Sequence, residues 1–325
     1  MNICFLDNIK VPYSSINLYD SKIRGAENIL INLSSELNKL GHYVTVINNI
    51  EKDIEVENIR WLNINNKNLD DVFYDLAFTN NDIALFSKIK AKKYVAFSHS
   101  IQTIEKFIRK KQLIPYLKYK PKIVLLSKYH ENNRSFLLKM FGSFRLDWSV
   151  DQIFIDTKLD DIKKEDIAIF TSRPDRNLNL IVNMWKKYIY TNNKKLKLLI
   201  TPNNTDLKRF NIFERNLGKK ENLLKDLLSS KIFLAPGHKA ELFCIAAEEA
   251  KELCLPIITL GIGALSERVE HGVTGFIAKD IKEFSNYIIT LFNDKELLNK
   301  IRKNLIDRRG RSNWSKVAIK LIELV

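Results

Sequence analysis

The chain has 325 residues, long enough for about two domains, and 45% of them are hydrophobic, so each half can bury a core. No apolar run approaches the ~18 to 20 residues that span a bilayer, and the opening MNICFLDNIK carries Asp7 and no basic lead, which reads as a first strand rather than a signal peptide. With 53 Lys and Arg against 38 Asp and Glu the formal net charge is +15, which leaves nucleic acid, a membrane surface and an acidic acceptor all open as anionic partners.

In chain order, residues 2–6 form a short apolar strand, followed by a long polar loop over 7–24. That loop lacks the Gly-x-Gly-x-x-Gly of a Rossmann dinucleotide site, so a dehydrogenase reading loses its support. Gly25-Ala26-Glu27 opens a helix with Ile29, Leu30, Leu33, Leu37 and Leu40 on one face, and Gly41 ends it. A strand over 43–47 completes a strand–helix–strand unit, and further strands are expected near 59–64, 83–86, 94–98 and 123–126. His99 falls directly after the strand at 94–98, a position that faces ligand in open parallel sheets, and Ser127 is placed comparably.

The charge is uneven. Residues 88–128 hold twelve Lys or Arg against one acid, Glu105, a net of +11. Within them, residues 103–122 alternate Ile104, Phe107, Ile108, Leu113, Ile114, Tyr116, Leu117 and Tyr119 with basic residues. A basic segment with interleaved aromatics suits an anionic bilayer or single-stranded nucleic acid, and its plainer reading is a solvated helix face.

A stretch rich in Asp and Lys, 156–166, leads into a strand over 167–171 and then into Ser172-Arg173-Pro174-Asp175-Arg176-Asn177-Leu178, which opens a helix through Trp185. Two arginines at a strand-to-helix turn suit a diphosphate, because guanidinium binds phosphate bidentately. A strand at 196–201 and a helix from Glu221 follow.

Residues 231–278 organise the second half. A strand over 232–235 breaks at Pro236-Gly237, and a loop carries His238, Lys239 and Glu241. A helix is expected over 242–253, with Phe243, Ala246, Ala247, Ala250 and Leu253 at helical spacing, then a strand over 256–260, a Gly261-x-Gly263 turn and a helix near Ser266. Glu241 lies just before the first of these helices, and Glu249 lies about two turns into it beside Glu248. Helix amino termini at the carboxyl ends of parallel strands attract anions, and flanking carboxylates accept hydroxyls, a combination that suits a nucleotide sugar. The plainer alternative is a dipole-favoured helix start and a solvated face. Helices near 281–292 and 295–307 and a last one from Trp314 complete the chain.

Glu241, Phe243, Glu249-Ala250, Pro256, Gly263, Glu267, Gly272 and Gly275 together resemble the donor-site signature of the retaining glycosyltransferase family 4. That family usually has Glu-Gly-Phe-Gly where this chain has Glu241-Leu242-Phe243-Cys244. The 172–178 turn resembles the family's Gly-Arg…Lys-Gly bend, with Arg173 and Arg176 in the basic positions and Asn177 in place of glycine. Arg24-Gly25 resembles its amino-terminal Gly-rich loop, and His99 matches a strand-end histidine near the donor sugar.

The resemblance implies the GT-B fold, α/β with two Rossmann-like domains whose parallel sheets face across a cleft. The expected divisions are 1–150 for the acceptor, 151–309 for the nucleotide sugar, and a carboxyl-terminal helix, 310–325, crossing back. It implies transfer of a sugar with retention from a UDP- or GDP-linked donor to a glycan or lipid-linked acceptor. Glu241, His99, Arg173 and Arg176 are the catalytic candidates. Glu249, Arg173, Arg176, Gly25, Gly263, Leu242 and Phe243 are the donor-binding ones. No cofactor and no metal are expected, since the acidic pairs Asp70-Asp71 and Asp160-Asp161 lie outside the expected cleft loops. An anionic membrane surface is the expected macromolecular partner rather than nucleic acid. Cys4, Cys244 and Cys254 lack metal-ligand spacing, so the expected compartment is the cytoplasm, peripheral on the inner face of the membrane. The rival readings are a basic nucleic-acid-binding protein and a nucleotide-sugar epimerase of similar fold.

Overall fold

The computed structural model describes residues 1–18, 25–159, 164–203 and 206–325. Arg24 and the Asp160-Asp161 pair lie outside the described residues. The chain divides into two compact units, Met1–Trp148 with Trp314–Val325, and Ser149–Asn313.

The first unit is built on one sheet: β1 (Asn2–Leu6), β2 (Tyr43–Asn48), β3 (Ile54–Val56), β4 (Ile59–Asn63), β5 (Phe73–Asn80), β6 (Lys90–Phe97), β7 (Lys122–Leu125) and β8 (Ser143–Arg145). Their order is β3-β4-β2-β1-β5-β6-β7-β8, and only the β3–β4 pair is antiparallel. Leu6 pairs with Ile47 on one side and Thr79 on the other, so the carboxyl ends of β1, β2 and β5 are level. Helix α1 (Gly25–Lys39) buries Ile29, Leu30, Leu33 and Leu37, and Gly41 beyond it takes the left-handed φ of 83° that ends a helix cheaply only with glycine. Helices α2 (Ile104–Arg109), α3 (Leu113–Tyr119) and α4 (Lys128–Asn132) are short, and the Thr103 and Ser127 side chains cap α2 and α4.

In the second unit α5 (Gln152–Asp156) precedes β9 (Ile167–Phe170), α6 (Leu178–Met184), β10 (Lys197–Ile200), β11 (Ile212–Glu214), α7 (Lys220–Ser229), β12 (Ile232–Gly237), α8 (Ile245–Glu252), β13 (Ile257–Ile262), α9 (Leu265–Arg268), β14 (Gly275–Ile277), α10 (Ile281–Asn293) and α11 (Lys295–Ile306). The sheet is parallel throughout, in the order β11-β10-β9-β12-β13-β14. Alternate residues of its central strands feed two cores: Ala168, Phe170, Ile232 and Leu234 on one face, Ile169, Phe233 and Ala235 on the other. Burial on both faces is why these strands read as continuous apolar runs, and their helices supply the two cover layers. Helix α12 (Trp314–Leu324) then belongs to the first unit, where Trp314 stacks on Trp148 at 6.2 Å.

Two expected elements are corrected. Residues 83–86 are not a strand: Ile83–Lys88 form a 3-10 helix, and the strand is the preceding β5. Asn81 at φ 64° turns the chain, and Asp82 caps the helix by accepting from the Ala84 N–H. The helix expected over 242–253 starts only at Ile245, because Cys244 takes a left-handed φ of 66° and leaves Leu242 and Phe243 in the loop. Glu249 is therefore the fifth helical residue, one turn in and not two. No helix among the described residues is long and apolar enough to cross a membrane.

Candidate active site

Three adjacent parallel strands of the second unit, β9, β12 and β13, deliver three loops to one end of the sheet. The loops are fastened to one another. Asn177, the residue that opens α6, holds φ 65° and donates from Nδ2 to the Gly237 carbonyl at 2.5 Å. Asn tolerates this conformation better than other non-glycine residues, which accounts for its standing in a glycine's place. The Ala264 N–H donates to the Glu241 carbonyl at 2.9 Å, and the Glu241 N–H donates to the His238 carbonyl at 2.8 Å. Gly263, at φ 73°, lies against both: a Cβ there would come within 2.5 Å of the His238 carbonyl and 2.7 Å of the Glu241 carbonyl. The glycine is needed for loop-to-loop packing, whatever else approaches it.

This fastening brings Arg176 and Glu241 together, Nε to Oε2 at 3.5 Å, both largely shielded from solvent. Burial raises the Glu241 pKa, opposed by Arg176, the Cys244 thiol, His238 and Arg173. Asp175 binds both arginines, Arg176 at 2.8 Å and Arg173 at 3.0 Å. Sequence reading passed over Asp175, although its place between the two arginines was a usable signal. Arg173 remains mostly exposed while paired with Asp175.

Glu249 faces inward from α8 and is buried, whereas Glu248 beside it is partly buried and pairs with Lys251 at 2.8 Å. Burial raises the Glu249 pKa, and Lys220 and Arg215 act on it in the opposite direction. Lys220 also pairs closely with Asp151, and Arg215 with Asp226 at 2.8 Å. Leu242 and Phe243 are buried, with the Arg268 guanidinium 4.2 Å over the Phe243 ring, so their side chains brace the loop and leave its backbone for a ligand. Cys244 is also buried, and its left-handed φ is one that a glycine would adopt without strain.

The other two candidates belong to the first unit. Gly25 is the first residue of α1 and is exposed, with open space where a Cβ would stand. His99 follows β6; its N–H donates to the Asn81 Oδ1 at 2.8 Å, and its Nε2 is buried without a hydrogen-bond partner. Burial lowers its pKa from 6.5 to about 4, so the ring is neutral at pH 7. Asp70 and Asp71 sit on a separate exposed turn, where Asp70 pairs with Lys90 at 3.3 Å. Among the described residues no group of three or more His, Cys, Asp or Glu is arranged to hold a metal.

Residues 163–308, which contain the three fastened loops, match the family described as glycosyl transferases group 1. Over the whole chain the fold is GT-B, that of several solved glycosyltransferases. Sucrose-phosphate synthase from Thermosynechococcus elongatus is 14% identical with a TM-score of 0.72, over 100% of this chain and 98% of that one. HepE of Anabaena, solved with UDP-glucose, is 15% identical with a TM-score of 0.71, over 100% and 99%. WaaG, a glycosyltransferase involved in lipopolysaccharide biosynthesis, is 10% identical with a TM-score of 0.66, over 99% of both chains. A search by sequence among curated proteins found no match.

Proposed function

We propose that this chain is a glycosyltransferase that moves a sugar, with retention, from a nucleotide-diphosphate sugar to a glycan or lipid-linked acceptor in cell-surface polysaccharide or glycolipid synthesis. The observation that carries the reading is the Arg176–Glu241 pair, held at the carboxyl ends of β9 and β12. Open α/β sheets bind ligands at that end. In this reading Arg173 and Arg176 stabilise the leaving diphosphate, where negative charge develops. Glu241 holds the donor sugar, His99 acts on that sugar, and Glu249 accepts from the ribose hydroxyls. Gly25, Gly263 and the 242–243 backbone approach the donor or acceptor closely. The acceptor hydroxyl attacks the anomeric carbon on the face the diphosphate leaves, and its proton passes to the departing phosphate oxygen.

HepE, solved with UDP-glucose, supports the choice of donor class. The enzyme works in the cytoplasm, peripheral on an anionic membrane face, with no resident metal or cofactor. Thermal shift with UDP- and GDP-sugars tests the donor, followed by transfer assays with and without EDTA. A stabilising shift with one nucleotide class is expected, together with activity that survives chelation. Arg173→Ala and Arg176→Ala should each cost about two orders of magnitude in turnover, by analogy with losing one preorganised anion-stabilising donor. Complete loss in EDTA, restored by manganese or magnesium, would overturn the metal-free mechanism. Conversion of the nucleotide sugar without any acceptor would favour an epimerase.

A further inference from the structure

At the carboxyl end of β6 the first unit holds a small cavity lined in part by Ser98, Ser100, Gln102, Lys106, Lys110 and Gln112. Lys106 on α2 and Lys110 at its carboxyl cap are four residues apart, so both side chains lie over the same face. Neither ammonium has an ion-pair partner among the described residues. Burial, Lys110 and Arg109 all lower the Lys106 pKa, so no carboxylate offsets its charge. Asp82, beyond Gln112, is already engaged: Gln112 Nε2 and the Ala84 N–H donate to Oδ1 and Asn8 Nδ2 to Oδ2.

Gln102 is 4% exposed, and its Oε1 has no hydrogen-bond partner. A buried amide end left unmatched costs free energy unless something meets it. Rotation of the amide about its last torsion presents NH2 in place of oxygen. The same neighbourhood holds further unmatched donors. Arg134 is 5% exposed, with Nε and Nη1 unpartnered and only Nη2 bonded, to the Leu138 carbonyl. Its neighbour Glu131 is turned to Arg145 at 3.5 Å. The N–H of Ser135, next to Arg134, donates to the Gln102 carbonyl at 3.0 Å, which ties this group to the cavity. Positive charge and unmatched polar atoms thus gather at a strand's carboxyl end, where the nearby carboxylates are Asp82, held by neutral donors beyond Gln112, and Glu131, turned to Arg145.

We propose that this pocket binds a phosphate group of the acceptor, held by Lys106, Lys110 and the Gln102 amide. The proposal rests on the glycosyl-transfer reading and names its acceptor class, a phosphate-bearing molecule. Two ammonium groups on one helix face and an amide from a separate loop supply charged and neutral donors together, which suits an oxyanion better than an uncharged sugar.

The test is calorimetric titration of inorganic phosphate into the full chain with UDP present at saturation, so that any diphosphate site in the second unit is filled. Phosphate binding should weaken about tenfold or more in the doubly substituted Lys106→Gln/Lys110→Gln protein and in Gln102→Leu, with UDP affinity unchanged. Gln102→Leu should also keep its melting temperature, because the polar atom removed has no protein partner. Equal phosphate affinity in wild type and variants, or phosphate binding wholly abolished by UDP, would overturn the site. Failure of UDP to bind would count against the donor reading alone, leaving lysine-dependent phosphate binding to stand on its own. Tighter binding of short-chain phosphatidic acid than of glycerol 3-phosphate would assign a lipid source for the phosphate, and the reverse a soluble one.

Discussion

Glu248 and Glu249 are neighbours in sequence with different commitments, which makes them the sharpest pair for separating donor binding from pairing within the helix. Glu249 is 7% exposed, and Glu248, partly buried, is committed to Lys251 three residues on along α8. A buried carboxylate that accepts ribose hydroxyls contributes ~1.5 to 3 kcal/mol. Glu249→Ala should therefore weaken nucleotide binding about tenfold or more in a calorimetric titration, and Glu248→Ala should leave it unchanged. Equal effects would sink the assignment. A second residue-scale consequence concerns His99 and His130, whose pKa values are lowered by burial from 6.5 to about 4 and about 3. The folded values lie below the unfolded one, so the unfolded chain takes up protons first as pH falls through 6.5. Stability should drop from there until the folded state protonates near 4, by on the order of 3 kcal/mol from His99 alone. Melting temperature followed from pH 7 to 4 should show this slope. It should be shallower in His130→Asn, which keeps an acceptor for the Leu126 N–H.

At the scale of elements, the site depends on loops that fit only if their special backbone positions are respected. Gly263→Ala adds a left-handed cost of ~1 to 2 kcal/mol and drives Cβ into the His238 and Glu241 carbonyls. It should lower the melting temperature and nucleotide affinity together. Gly25→Ala meets open space and should leave stability unchanged, so any loss of turnover there reports close approach of a ligand to the backbone. The same positions show how far sequence carried. Helices α1, α10 and α11 and strands β1, β2, β9 and β12 were legible because their apolar residues fall at clean helical spacing or in short runs that end at polar residues, Gly or Pro. Strand β5 was not: Asp75 interrupts it, Phe73 at its start is exposed, and the more apolar segment after it is bent into a helix by Asn81 and Asp82. The late start of α8 was equally hidden, because a left-handed cysteine carries no glycine signal. Arg173, Arg176, Glu241 and Glu249 were legible as candidates because each sits in a local strand–loop–helix pattern. The Gln102–Lys106–Lys110 pocket was not, since it exists only through burial and through partners that are missing.

Over the whole molecule the +15 charge is concentrated rather than spread, and the structure adds an apolar partner to it. Ile114 on α3 is 79% exposed and Phe136 83%, and Ile108, Leu117, Leu137 and Met140 are exposed as well. Phe136 opens the 3-10 turn Phe136–Lys139, outside the segment that sequence singled out. Hydrogen bonds fasten that turn to the basic helices: the Ser135 N–H donates to the Gln102 carbonyl at 3.0 Å, the Ile104 N–H to Ser135 Oγ at 3.2 Å, and the Tyr116 hydroxyl to the Leu138 carbonyl at 2.7 Å. Exposed apolar side chains rimmed by lysines suit the boundary of an anionic bilayer, where side chains enter the acyl region and ammonium groups meet headgroups. Vesicle sedimentation should show binding that grows with the anionic lipid fraction and fades with salt, at roughly 1 kcal/mol for each basic residue near the surface. Phe136→Ser with Leu137→Ser should weaken binding at every salt concentration, because the apolar contribution is not screened. Lys→Gln changes on α2 and α3 should weaken it chiefly at low salt. The two series separate insertion from attraction. Tight binding to oligonucleotides, indifferent to lipid composition and to Phe136, would show instead that the basic region serves nucleic acid.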